Sequence, residues 1–204
     1  MLRVGITGNI GSGKTTASRI FAMLGAAVYS ADERAKHFLH TPGTIERIKK
    51  EFGEGCIGAD GAPDKKKLAE IVFEDETMLQ KLNDIIHPQV RRDFDTWAAQ
   101  KNKYPYVMME AAILFESGQS RRFDKVVLVT APEHLRIERV CKRDNVSPDD
   151  VKKRMRHQMD EATKIPLADF VIVNDEKQML ISQAEAIHKK LLELAGEINN
   201  VGGK

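Results

Sequence analysis

The run Gly8-Asn9-Ile10-Gly11-Ser12-Gly13-Lys14-Thr15 fits G-x-x-x-x-G-K-[ST], a pattern whose chemistry is the capture of a polyphosphate. Backbone N–H groups wrap a phosphate only where the chain bends tightly. Gly8, Gly11 and Gly13 permit that bend and keep Cβ atoms out of the way. Lys14 supplies a mobile cation for the outer phosphates, and the Thr15 hydroxyl is suited to ligate Mg²⁺.

Asp32 is a second candidate, just past the apolar run Ala26-Ala27-Val28-Tyr29. A carboxylate there could accept a hydrogen bond from an acceptor hydroxyl and take its proton late in phosphoryl transfer. Ser30-Ala31-Asp32-Glu33 equally fits a capping box in which Asp32 is a first-turn acid. Spacing leaves both readings open. Further along, Arg136, Arg139 and Arg143 fall at i, i+3 and i+7, one face of a helix. Between Arg136 and His157 there are eight Lys/Arg against four Asp/Glu. Negative charge spreads over the oxygens of a phosphoryl group in transfer, and a closing arginine-bearing lid both clamps and positions it. Arg143, beside a hinge expected at Asp144-Asn145, is the first choice for phosphate contact; a solvated basic helix is the plainer alternative.

These side chains need a frame. Leu2 to Thr7 predicts a buried strand and Thr15 to Leu24 a helix, with Ala17, Ile20, Phe21 and Leu24 on one face and Gly25 past its end. Further apolar strands are expected at 26–29, 106–109, 125–129 and 170–173. Their unbroken apolar character predicts an α/β fold, a five-stranded parallel sheet flanked by helices. The core is expected at about 1–31, 104–132 and 167–204, with a helical substrate-binding insert over about 32–103 and a helical lid over about 133–166. Ser147-Pro148-Asp149-Asp150 reads as a helix start. A last helix is expected from about Lys177 to Ala195, with Leu180, Ala184, Ile187, Leu191 and Leu194 facing the core, followed by a fraying tail from Val201 to Lys204. Trp97 is read as packing within the insert.

Composition narrows the class. The 204 residues suit one α/β domain, and a net charge of +2 argues for neither nucleic acid nor membrane binding. Cys56 and Cys141 form no C-x-x-C pattern, so a reduced, cytoplasmic setting is expected, without structural zinc. No apolar run approaches the ~20 residues of a membrane span. The chain enters its first strand at once, so no signal peptide is expected. No obligate protein partner is evident. A guanine-reading [NT]-K-x-D is not matched by Asn102-Lys103-Tyr104-Pro105, and the strand ending in Glu110 continues as Ala111-Ala112 rather than as an acidic pair. That leaves a small-molecule kinase ahead of a nucleotide-dependent switch or binder.

The chain resembles the dephospho-CoA kinase family along nearly its whole length. The similarity is carried by Gly5-Ile6-Thr7-Gly8 through Lys14-Thr15-Thr16, Ala31-Asp32, Leu82, Ile85-Ile86-His87-Pro88 and Val90. It continues through Ile113-Leu114-Phe115-Glu116, Asp124, Val126-Val127, Ala131-Pro132, Arg139, Arg143, Arg154, Gln158 and Lys164, and ends with Ala168-Asp169, Val171-Ile172 and Asn174. The resemblance implies ATP and Mg²⁺ as cofactors and dephospho-CoA as the small-molecule substrate, phosphorylated on its ribose 3′-hydroxyl. It assigns Gly11, Ser12, Gly13, Lys14, Thr15 and Thr16 to ATP. It makes Asp32 the residue that orients and deprotonates the hydroxyl, and puts His87, Leu114, Phe115 and Glu116 near the acceptor. Asn9 stands where glycine is common, Thr15 where serine is, Lys36 where arginine is usual, and Glu110 and Ala112 where Asp and Pro are frequent. His87-Pro88 also reads as an X-Pro step closing a helix. A P-loop kinase for another small acceptor, such as a nucleoside monophosphate, is the alternative.

Overall fold

A computed structural model of the chain describes residues 1–201, with only the backbone described at 65, 73, 74, 76 and 198–201. Residues 202–204 of the expected fraying tail fall outside the described residues. Five strands, β1 (Leu2–Thr7), β2 (Ala27–Ser30), β3 (Tyr106–Glu110), β4 (Lys125–Thr130) and β5 (Phe170–Val173), form one sheet in the order β2-β3-β1-β4-β5. All pairings are parallel. Every residue of β3 is buried, as is all of β4 after Lys125, which accounts for their unbroken apolar sequences.

Glu110 pairs in register with Ile6 on one side and Ser30 on the other. It therefore stands at the carboxyl edge of the sheet, where β1 gives way to the glycine loop and where open α/β sheets collect their ligands. Helix α1 (Lys14–Met23) buries Ala17, Ile20 and Phe21 against this sheet. The last helix, α9 as numbered in chain order (Leu180–Val201), covers the same cluster with Ala184, Ile187 and Leu191. It starts three residues later than the sequence predicts. Asp175 accepts the N–H groups of both Lys177 and Gln178 at 3.0 Å, and Glu176 holds a left-handed φ of 66°, so the chain turns before it coils.

The chain divides into two compact units, residues 1–30 with 101–204, and residues 31–100. The first contains the sheet and the basic segment. There α6 (Glu133–Asp144) ends at Asn145, whose left-handed φ of 53° breaks the helix. Helix α7 (Pro148–Met155) restarts with the Ser147 hydroxyl accepting the Asp150 N–H, as the sequence predicts. The four-residue helix α8 (Glu161–Lys164) follows.

The second unit is helical: α2 (Ala31–Leu39), α3 (Pro42–Phe52), α4 (Lys65–Glu74) and α5 (Glu76–Ala99). Asp64 and Asp75 cap α4 and α5 through their side chains. Pro88 does not close a helix; it lies inside the 24-residue α5. Buried Ile85, Ile86, Val90 and Phe94 hold the helix on both sides of the proline, and the Gln89 side chain bonds the Ile85 carbonyl at 3.0 Å. Trp97 stacks on Phe94 with centroids 6.0 Å apart, the packing role expected of it.

Candidate active site

The glycine loop joins β1 to α1. Gly11 and Gly13 hold φ values of 80° and 90°, the left-handed region that an L side chain resists. Neither position has room for a Cβ: one at Gly11 would strike the Arg136 carbonyl, and one at Gly13 the Asn174 side-chain amide. The first helical bond of α1 runs from the Ala17 N–H to the Gly13 carbonyl at 3.0 Å. The amides of Lys14, Thr15 and Thr16 thus precede the helical ladder, at the positive end of the helix dipole, where phosphate binds.

Lys14 and Thr15 meet on one oxygen. The Lys14 ammonium lies 2.9 Å from Glu110 Oε1, and the Thr15 hydroxyl donates to the same atom at 2.6 Å. Burial pushes the Glu110 carboxyl up, but the Lys14 charge and the bonds from Thr15, Lys14 and Ser18 prevail and hold it below the usual carboxylate value. The pair follows from the strand register: Glu110 ends β3 beside the strand that feeds the loop. The sequence signal was an apolar strand ending in an acid, which by itself does not announce a partner for Lys14.

A hydroxyl and a carboxylate converging here are hard oxygen donors, the set that suits Mg²⁺. Among the described residues no cluster of three or more His, Cys, Asp or Glu forms a cation cage. Mg²⁺ beside a polyphosphate does not need one, since it keeps waters and phosphate oxygens.

The three arginines of α6 differ in surroundings. Arg136 is buried, its Nε donating to the Ala131 carbonyl at 3.0 Å and lying 3.6 Å from Glu161 Oε2. Arg139 reaches the glycine loop, donating to the Gly11 carbonyl at 3.4 Å, to the Asn174 carbonyl at 3.1 Å and to Glu176 at 2.9 Å. The Arg143 side chain is 63% exposed and forks onto neighbouring Asp144 at 2.7 and 3.0 Å. Arg154 shares that carboxylate at 2.9 Å.

In the helical unit, Asp32 lies in the first turn of α2. Arg34 ties α2 to α5 through a two-pronged pair with Asp93 at 2.7 and 2.8 Å. His87 is half-buried on α5. Burial, helped by the Arg91 charge, lowers its pKa, while Asp84 and Asp32 partly oppose the shift. Asp32 and His87 are thus electrostatic neighbours within this unit.

Leu114 and Phe115 are buried beside Val126 and Leu128. Glu116 lies 2.6 Å from the fully buried Lys164 ammonium and accepts the Met159 N–H at 3.1 Å. Asn9, Gln158 and Asn174 also brace the loop: Asn174 Nδ2 donates to the Ser12 carbonyl at 2.8 Å, and Gln158 accepts the Ile10 N–H at 2.8 Å. Sequence reasoning gave none of these three a role, because each acts on a residue more than a hundred positions away.

A family model described as dephospho-CoA kinase matches residues 2–179. A dephospho-CoA kinase of Bacteroides fragilis is 37% identical over 182 residues, covering 89% of each chain. That of Aquifex aeolicus is 37% identical over 85% of this chain and 89% of its own. A crystal structure of a Thermus thermophilus protein superposes with a TM-score of 0.83 at 34% identity, covering 93% of this chain and 97% of that one. A Campylobacter jejuni dephospho-CoA kinase, 23% identical with a TM-score of 0.59 over 93% and 96% of the two chains, shares the fold.

Proposed function

The chain belongs to the dephospho-CoA kinase family, and from that premise we propose how its residues divide the work of moving the ATP γ-phosphoryl group to the ribose 3′-hydroxyl of dephospho-CoA. The products are CoA and ADP, in the last step of coenzyme A biosynthesis. The family match across 2–179 carries the reaction. The convergence of Lys14 and Thr15 on Glu110 supports the division of roles.

The amides from Gly11 to Thr16 cradle the phosphates, and Lys14 exchanges Glu110 for the β- and γ-phosphate oxygens. Thr15 would hold Mg²⁺, with the Glu110 carboxylate beside it, and the ion would supply positive charge against the phosphates there. Asp32 orients the 3′-hydroxyl and accepts its proton as the new O–P bond forms. The helical unit, with His87, binds the acceptor, and so does the stretch Leu114-Phe115-Glu116. Arg143 leaves Asp144 for the transferring group as the basic segment closes, which excludes water as a competing acceptor. A cytoplasmic location fits Cys56 and Cys141, both free thiols. Among the described residues no helix is long and apolar enough to cross a membrane.

A coupled assay of ADP release with MgATP tests the reading, with dephospho-CoA set beside AMP, CMP and shikimate. Stimulation by dephospho-CoA alone, with CoA identified by mass, is the expected result. Stimulation by another acceptor instead would reassign the helical unit.

A further inference from the structure

Three consecutive residues of the phosphate loop are held from outside by the basic segment. Asn9 Nδ2 donates to the Met159 carbonyl at 3.2 Å, and Lys164 Nζ donates to Asn9 Oδ1 at 2.5 Å. The Ile10 N–H goes to Gln158 Oε1 at 2.8 Å. Gly11 lies against the Arg136 backbone and offers its carbonyl to Arg139. Of these partners Lys164 is the least expected. It is 0% exposed, yet it carries an ammonium, and its other partner is Glu116 at 2.6 Å. Glu116 Oε1 also takes the Met159 N–H, while its Oε2 is buried with no hydrogen-bond partner among the described residues.

Stability alone gives this arrangement no reason to exist. A buried ion pair generally adds nothing over well-packed apolar side chains of the same volume, and an unsatisfied carboxylate oxygen adds a further cost. What the ammonium does provide is direction. One lysine fixes Asn9 Oδ1 on the loop and Glu116 beyond β3, and both of those residues bond Met159 in the basic segment. The orientation of the Asn9 amide is set from both of its ends.

We propose that Lys164 is a positioning residue for the nucleotide: through Asn9 and Glu116 it docks the base of the basic segment, residues 158–164, onto the phosphate loop and fixes the loop for ATP. The proposal rests on the ATP-dependent kinase reading and deepens it. Loop shape and segment position become one unit, so that ordering either favours the other.

The test compares Lys164→Met, the double variant Glu116→Gln/Lys164→Met, and Asn9→Ala. The readouts are thermal melting, ATP affinity by calorimetry without acceptor, and KM for each substrate. Lys164→Met strands the Glu116 charge and should lower Tm by about 10 °C. The double variant buries no charge and should regain most of that loss. Its ATP Kd should nevertheless stay raised about tenfold, as in Asn9→Ala, and in Asn9→Ala, which leaves Glu116 in place, the KM for dephospho-CoA should be little changed. A double variant that regains ATP affinity along with its Tm would overturn the proposal, because the pair would then be packing alone. If both Lys164 variants fail to fold, Asn9→Ala decides, since it leaves the Lys164–Glu116 pair in place: a raised ATP Kd supports the proposal, and a wild-type Kd overturns it. A wrong acceptor would show separately, as a wild-type enzyme that binds ATP but ignores dephospho-CoA.

Discussion

Glu110 Oε1 holds the Lys14 ammonium at 2.9 Å and the Thr15 hydroxyl at 2.6 Å, so one carboxylate oxygen engages both side chains the loop would offer to MgATP. With the proposed roles of Lys14 and Thr15, nucleotide binding would be an exchange of partners. The exchange is feasible because a triphosphate returns to Lys14 more negative charge than Glu110 gives up.

Two variants separate the halves of that exchange. Lys14→Ala removes a cation from the transferring phosphoryl group, and kcat should fall by a factor of about 100 to 1000. Glu110→Gln should tighten ATP binding without metal, by roughly threefold to tenfold, as Lys14 loses its charged rival. The same variant should raise the Mg²⁺ concentration that gives half-maximal rate. Calorimetry with EDTA and a Mg²⁺ titration of the coupled assay measure the two effects. A near-normal rate for Lys14→Ala would contradict the loop assignment.

Asp32 is expected to act on the acceptor hydroxyl, not on ATP. Asp32→Asn keeps the shape and removes the proton acceptor, so kcat should drop about a hundredfold or more while ATP affinity stays near wild type. Loss of ATP binding in calorimetry would instead make Asp32 a structural first-turn acid.

His87 gives a pH signature. Its pKa in the fold lies below 6.5, mainly through burial. A base with a lowered folded pKa contributes stability that is fully present above 6.5 and lost as pH falls from there through the folded value. Wild type should therefore lose Tm between pH 7.5 and pH 5 more steeply than His87→Gln, which cannot take up the proton. Parallel slopes in melts across that range would remove His87 as the source.

The phosphate loop and the sheet were legible because their signals are local. Glycines at fixed spacing and unbroken apolar runs need no distant information, and Ser147-Pro148 announced its helix by cap chemistry alone. Pro88 misled for the complementary reason: the buried Ile85, Ile86, Val90 and Phe94 that hold α5 through the proline are a tertiary matter. Glu110 met Lys14 through a parallel register spanning 96 positions. Lys164 was invisible as a core residue because lysines are almost never fully buried unless paired, and its partner Glu116 lies 48 positions earlier in the sequence.

The arginines of α6 share a helix face in the sequence but not an environment, and this predicts different phenotypes. Arg136 is buried beside Glu161, whose carboxyl is already pushed up by burial although Arg136 pulls it down. Arg136→Ala leaves that carboxyl without its cation and takes a donor from the Ala131 carbonyl. Breaking one side of such a pair costs about 3–5 kcal/mol, or roughly 10 °C in Tm for a chain of this size. Arg143 is exposed and, among the described residues, pairs with the carboxylate oxygens of Asp144. An exposed pair contributes at most about 1 kcal/mol, so Arg143→Ala should melt within a few degrees of wild type. If Arg143 swings to the transferring phosphoryl group, the same change should lower kcat by about tenfold or more with little effect on the KM for ATP. Melting curves beside steady-state kinetics separate the two residues. An unchanged kcat for Arg143→Ala would pass the catalytic role to Arg139, which already touches the loop at the Gly11 carbonyl.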